Sequence, residues 1–249
     1  GLVGAGFAEY VALGIEDRFL KTQHPSNLTL LFASGIGNTK PGPHGTNIFA
    51  HEGMLKRVIT GHYQMAPQLQ DMVNQNAFEA YLFPQDTITQ NFRESAAGRP
   101  GVITKTGLGT FADPRKEGGK CNTLAKEDLV ELIELNGEEY LWYKPYHVDV
   151  AIIRATSADE NGNLGVEKEA ILLNQYYLAA LAKQSGGIVI AQVERMVQNG
   201  SMNPRDVFVP GILVDYVVQA PAEHHWQTYA APYDAALAQE IRIPVNSLA

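Results

Sequence analysis

Three nearly unbroken apolar runs constrain this chain more than any other feature. They are residues 148–156 (VDVAIIRAT), 187–193 (GIVIAQV) and 212–218 (ILVDYVV). A strand with one wet face alternates apolar and polar residues; an unbroken run suits a strand covered on both faces, as in a parallel sheet. Further strands are expected at 26–33 (SNLTLLFA), 78–83 (FEAYLF) and 102–105. Helices fall between them. Residues 7–21 carry apolar side chains at close to helical spacing. Residues 87–97 follow Asp86, an expected N-cap. Residues 169–185 form the strongest helical pattern and stop at Gly186-Gly187. One antiparallel element interrupts the alternation: 130–135 and 138–144 flank Asn136-Gly137, the dipeptide suited to a type I′ turn. The sequence therefore predicts an α/β fold, a three-layer α/β/α domain with a mainly parallel sheet and an inserted β-hairpin. No linker, repeat or low-complexity tract divides it, so residues 1–249 read as a single domain.

Composition excludes several classes. Apolar residues make up 45% and charged residues 18%, which rules out a disordered chain. The net charge is −8, and the densest basic cluster is Arg115-Lys116 with Lys120 nearby. That is too little to neutralise a phosphate backbone, so no nucleic-acid partner is expected. No apolar run reaches the roughly 18 residues a membrane span needs. The single Cys121 allows no internal disulfide and fits a reducing compartment; a cytoplasmic location is expected. The chain opens without Met on Gly1-Leu2-Val3-Gly4-Ala5-Gly6, text that reads as a strand end and turn. It is expected to be a piece of something longer.

Several familiar chemistries can be set aside. Gly1-x-x-Gly4-x-Gly6 lacks full dinucleotide spacing, and no acid closes the following strand. There is no P-loop. The seven histidines form no zinc pattern, so no metal is expected, and His224-His225 reads as surface. Cys121 has no sequence-local partner and reads as inert. There remains a set of glycine turns after strands: Gly35/Gly37, Gly61, Gly107/Gly109 and Gly162. In open α/β sheets ligands bind beyond the carboxyl ends of strands, where small residues let backbone N–H groups come close. The stretch from Gly107 to Asn122 (GLGTFADPRKEGGKCN) breaks the α/β rhythm. It reads either as an ordered crossover held by an Asp113–Arg115 pair or as the wall of a pocket; spacing alone leaves both open.

Four stretches resemble the first half of family I CoA-transferases, in particular the acetate/propionate, short-chain acyl-CoA:acetate and 3-oxoacid types. They are Val3-Gly4-Ala5-Gly6, Leu82-Phe83-Pro84-Gln85-Asp86-Thr87, the GLGTFADPR…GGKCN loop, and Arg154 to Asn163 (RATSADENGN). The resemblance extends along essentially the whole chain. It implies a transferase of short-chain fatty acid or ketone body metabolism that moves CoA from an acyl-CoA to a free carboxylate such as acetate. A glutamate attacks the thioester carbonyl, giving a mixed anhydride and then a glutamyl-CoA thioester. No permanent cofactor is implied; coenzyme A is a substrate. Two similar domains, fused or on separate subunits, build such an enzyme, and the glutamate belongs to the second. The resemblance also implies a partner domain beyond residue 249 and a homo-oligomer.

Glu160-Asn161-Gly162 looks like a nucleophile motif, but its surroundings fit a turn instead: Asp and Asn bond their own backbone and Gly takes positive φ. Glu160 is disfavoured, and the nucleophile is expected outside this chain. Gln85 is the supporting catalytic candidate. On its residues alone it could equally be a helix-entry residue. The resemblance implies that its amide faces the catalytic carboxylate, which it can orient without titrating. Gly35, Gly61, Gly107, Gly109 and Thr110 would line the substrate pocket. Two other readings compete. A sugar-phosphate isomerase or deaminase would place Lys or Arg beside the glycine turns, which this sequence scarcely does. A non-catalytic acyl-CoA-binding module would bind without turnover.

Overall fold

The computed structural model describes residues 1–247. Strands β1 (Leu28–Leu31), β2 (Leu55–Thr60) and β3 (Glu79–Leu82) form a parallel sheet in that order. Strands β4 (Val102–Thr104), β5 (Val130–Leu135) and β6 (Glu138–Tyr143) form an antiparallel sheet with β6 in the middle. Strand β7 (Val150–Arg154) leads into the short β8 (Ser157–Asp159) and β9 (Leu164–Gly165). Then come β10 (Ile188–Val193), β11 (Arg195–Val197) and β12 (Tyr216–Gln219). Strands β12, β10 and β7 form the second parallel sheet, with β10 central, and β8 lies between β11 and β9. The helices are α1 (Glu9–Thr22), α2 (Pro67–Asn74), α3 (Gln85–Ala96) and α4 (Gln175–Gln184).

The period of two along the first sheet produces its layers. Val58 of β2 and Ala80 of β3 face a core with Phe19 of α1 and Leu69 of α2. Their neighbours Ile59 and Tyr81 face the opposite way, into a core with Ile88 and Phe92 of α3, Leu141 of β6 and Leu181 of α4. One sheet thus carries helices on both sides, and the second core joins it to the hairpin. A third core packs Ala179 and Ala182 of α4 on Ile153 of β7 and on Val189 and Val193 of β10. The α/β class and the inserted hairpin are as the sequence predicts. Asn136 (φ 54) and Gly137 (φ 79) take the positive φ values of a type I′ turn.

Five local expectations need correction. The third apolar run is a strand only from Tyr216: residues Gly211–Leu213 form a 3₁₀ turn with Ile212 exposed, and β12 is an edge strand whose faces are not both covered. The sequence marks β2 only by the turn glycine Gly61 that follows it and assigns it no range, because Lys56-Arg57 break its apolar pattern. Arg57 is nevertheless accommodated, with Nε 2.6 Å from Glu79 on β3. Asp86 is not the cap of α3. The helix begins two residues earlier than expected, at Gln85 behind Pro84, and Asp86 sits in its first turn, accepting from the Gln90 amide at 3.2 Å. Helix α4 starts at Gln175, not at 169. Residues 166–174 are pulled off the helical path, because the Lys168 amide donates to Thr156 Oγ1 at 3.0 Å and Glu169 turns inward to Arg154. His225, expected at the surface, is buried; its Nδ1 lies 3.1 Å from the Gln192 amide nitrogen.

Candidate active site at the strand ends

The carboxyl ends of β1, β2 and β3 lie side by side, and two glycines let the segments beyond them approach closely. After β2, Gly61 lies beneath the stem of Gln85. A Cβ on Gly61 would stand 2.3 Å from Gln85 Cγ and 2.4 Å from the Ala33 carbonyl oxygen. After β1, Gly35 lies beneath the His62 ring, where a Cβ would come within 2.2 Å of the ring. The Gly35 N–H donates to His62 Nε2 at 3.2 Å. Gly35, Gly61 and Gln85 are therefore brought together from three separate strand ends. Gln85 itself is exposed at the first residue of α3, and among the described residues nothing bonds its amide. His62 was not singled out by its sequence context, because a lone histidine after a glycine gives no signal until the fold places it over Gly35.

Gly107, Gly109 and Thr110 belong to a separate, internally tied loop. Asp113, only 1% exposed, organises it. Its carboxylate accepts from the Gly109 amide at 2.8 Å and the Arg115 amide at 3.0 Å, and the Arg115 guanidinium grips both oxygens at 3.0 and 2.8 Å. Arg115 also reaches Glu139 on the hairpin at 3.0 Å. The Thr110 hydroxyl donates to the Gly107 carbonyl at 2.7 Å. Further along, the Gly119 carbonyl accepts from Leu82 N at 2.8 Å and Cys121 N donates to Ala80 O at 2.9 Å, so the loop runs along β3. Gly119 passes so close to Phe83 that a Cβ would be 2.3 Å from its ring. The Asp113–Arg115 pair anticipated from the sequence is present. The contacts of Gly107, Gly109 and Thr110 are to the loop itself and to the hairpin, with Tyr143 beside Gly107.

The Arg115 guanidinium, with the Gly109 amide, holds the Asp113 carboxyl far below the usual carboxylate range. A depressed carboxyl stabilises the folded loop at every pH above its unfolded value, about 3.9. That contribution drains away as pH falls from there towards the folded value. Amide exchange at Gly109, corrected for intrinsic rate, should show protection that is flat from neutrality to about pH 4 and falls below it. Asp113→Asn should lower protection already at neutral pH; equal protection in the variant would remove Asp113 from this role.

Glu160 occupies a different place. It follows β8 in a turn where Asp159 Oδ1 accepts from the amides of Asn161 and Asn163 at 3.0 and 2.9 Å, and Gly162 has φ 80. The Glu160 side chain is exposed and accepts from the Asn199 amide at 2.9 Å.

Two small cavities flank a buried charge centre at the end of β7. Arg154 Nε donates to Glu169 at 3.1 Å, and its terminal nitrogen donates to the Trp226 carbonyl at 2.7 Å. Burial would raise the Glu169 carboxyl, but His225 and Arg154 outweigh it and hold it below the usual range. Gln192 donates to the His224 carbonyl at 3.1 Å, and Gln227 to the Lys168 carbonyl at 2.7 Å. Segment 222–234 is thereby strapped over the ends of β7 and β10. Among the described residues no His/Cys/Asp/Glu cluster could hold a metal, and no helix is long and apolar enough to cross a membrane.

Parallel strands ending in small-residue turns form the kind of crevice beyond the strand ends at which open α/β sheets bind ligands. The chain belongs to the coenzyme A transferase family, whose model matches residues 19–220. It is 45% identical over 249 residues to the caffeate CoA-transferase of Acetobacterium woodii, covering 100% of this chain and 47% of that protein. It superposes with a TM-score of 0.93 on the acyl-CoA transferase YdiF of Escherichia coli O157:H7 in a thioester complex with CoA, at 37% identity over 98% of this chain and 48% of that one. It is also 30% identical to the alpha subunit of the acetoacetyl-CoA:acetate/butyrate CoA transferase of Clostridium acetobutylicum, covering 82% of this chain and 83% of that subunit. The chain spans about half the length of the first two relatives and most of the third.

Proposed function

We propose that this chain is the first, α-type half of a CoA-transferase that moves CoA between a short-chain acyl-CoA and a carboxylate such as acetate. The observation that carries the reading is the unbonded Gln85 amide, held over Gly61 at the junction of three strand ends. The relatives support it, two of them being transferases about twice this length and one a separate alpha subunit. In this reading a glutamate from the second half, fused or on its own subunit, attacks the thioester carbonyl and CoA leaves as thiolate. The thiolate then attacks the glutamyl side of the resulting anhydride, releasing the donor's carboxylate and leaving a glutamyl-CoA thioester. An acceptor carboxylate reverses the two steps. Gln85 donates an N–H to the reacting carboxylate or thioester oxygen, orienting it without exchanging a proton. Gly107, Gly109 and Thr110, on the loop fixed by Asp113, bound the acyl side. Glu160 serves its turn and takes no part in the chemistry.

The test uses the complete protein. Acyl-CoA and acetate should exchange CoA, and borohydride or hydroxylamine should trap a glutamyl-CoA adduct. Absence of both sinks the reading. Gln85→Ala should slow turnover by about 10²-fold, the scale for one lost donor to a reacting oxygen, without unfolding the protein. Glu160→Gln should leave the adduct intact; its loss would identify Glu160 as the nucleophile.

A further inference from the structure

Two polar atoms at the ends of β1 and β2 are buried and bond nothing among the described residues: Ser34 Oγ and His62 Nδ1. Ser34 is only 5% exposed. A buried hydroxyl or ring N–H without a partner is costly, and folded proteins keep few of them. Both atoms lie at the strand ends where a CoA-transferase of this fold would take its substrate. Ser34 precedes Gly35, whose surface the His62 ring covers, and Gly61 beside His62 carries the stem of Gln85.

The hydrogen bonding decides what His62 offers. The Gly35 N–H occupies the Nε2 lone pair. In the neutral ring the proton then resides on Nδ1, so the unpartnered atom is a donor. Ser34 adds an O–H and Gln85 an N–H. Three neighbouring strand ends thus each supply one neutral donor. The binding of a full charge by Lys or Arg would be harder to reverse in a carboxylate that must enter, react and leave. Neutral donors suit an anion spread over two oxygens that is turned over rather than stored.

We propose that Ser34 and His62 form, with Gln85, a subsite for the carboxylate of the acceptor acid, in which His62 Nδ1–H and Ser34 O–H are specificity-determining donors. The proposal rests on the CoA-transfer reading. Two substitutions separate function from structure. His62→Gln keeps an acceptor near the Nε2 position and so preserves the tie to Gly35, but removes the Nδ1 donor. His62→Asn keeps an N–H near the Nδ1 position and sacrifices the tie. In the complete enzyme, His62→Gln and Ser34→Ala should each raise the KM for acetate by about tenfold or more. The trapped adduct should still form from acyl-CoA, and His62→Asn should recover most of the acetate KM. An unchanged acetate KM in His62→Gln overturns the proposal. So does a pattern in which Asn is worse than Gln and kcat falls with stability, since only the Gly35 tie would then matter. If the wild-type enzyme exchanges no CoA, the CoA-transfer reading falls by itself. The subsite is then judged by titrating acetate against the His62 ring NMR signals. A saturable shift lost in Ser34→Ala keeps it, and no shift removes it.

Discussion

Replacing Glu169 with Ala should cost the protein about 3–5 kcal/mol, read as a lowered urea midpoint at unchanged m-value. Both members of the pair are out of water: Arg154 is 5% exposed and Glu169 is 6% exposed. A guanidinium keeps its charge, so without its partner Arg154 remains a buried, uncompensated cation. The loss also spreads. Arg154 holds the Trp226 carbonyl, and His225, facing Glu169, is tied to Gln192. Segment 222–234 should therefore become the first site of proteolysis in the variant. Lys168→Ala is the contrast. Its pair with Glu194 at 2.9 Å is about one-third exposed on both sides, and its loss should stay within about 1 kcal/mol. The pair also gives a pH signature. The depressed Glu169 carboxyl stabilises the fold above about pH 4.3, its unfolded value, and that contribution is lost as pH falls below it. A Glu169→Ala protein as stable as wild type at neutral pH would mean that the charge pair contributes nothing.

The second large effect is expected at Gly61. A methyl group there meets Gln85 Cγ at 2.3 Å and the Ala33 carbonyl oxygen at 2.4 Å. The first contact could be relieved by swinging the glutamine away, which displaces the proposed donor. The second is backbone and can be relieved only by moving the end of β1 from β2. Overpacking of this kind costs about 1–3 kcal/mol. The kinetic loss should be larger in proportion, because a displacement of about 1 Å at a reacting group can cost around 10²-fold. Gly61→Ala in the complete enzyme should therefore fold, with a modestly lowered midpoint, and exchange CoA about 10²-fold more slowly. Wild-type exchange in a folded Gly61→Ala protein would show that the close approach of Gln85 does not matter to turnover.

The parts of the site that could be read in advance are those with a local signature. Gln85 follows a strand and a proline; Gly35 follows β-rich text; Asp113 and Arg115 are two residues apart and pair in the loop. His62 has no such signature. Its role depends on the ring lying over Gly35, 27 residues earlier in the chain. Arg154 and Glu169 gave a misleading signal. Glu169 stood at the head of a strong helical pattern, and the attraction of a buried guanidinium overrode that propensity. Strand β2 was hidden because periodicity treats Arg57 as a wet residue, whereas Glu79 and Glu127 neutralise it on this central strand.

The class of fold, the hairpin at Asn136-Gly137, the glycine turns and the resemblance to CoA-transferases are all legible in the amino-acid order. Each depends on short-range rules: the period of apolar residues, the φ a turn demands, or residue order within a motif. Which of those turns meet was settled by tertiary packing alone. Gly35, Gly61 and Gln85 converge because β1, β2 and β3 are parallel neighbours in one register, while Gly107 and Gly109 go to the Asp113 loop. Periodicity says which face a residue points to, but register and strand order say what it faces. Those are fixed by burial of the whole core, which no local stretch encodes.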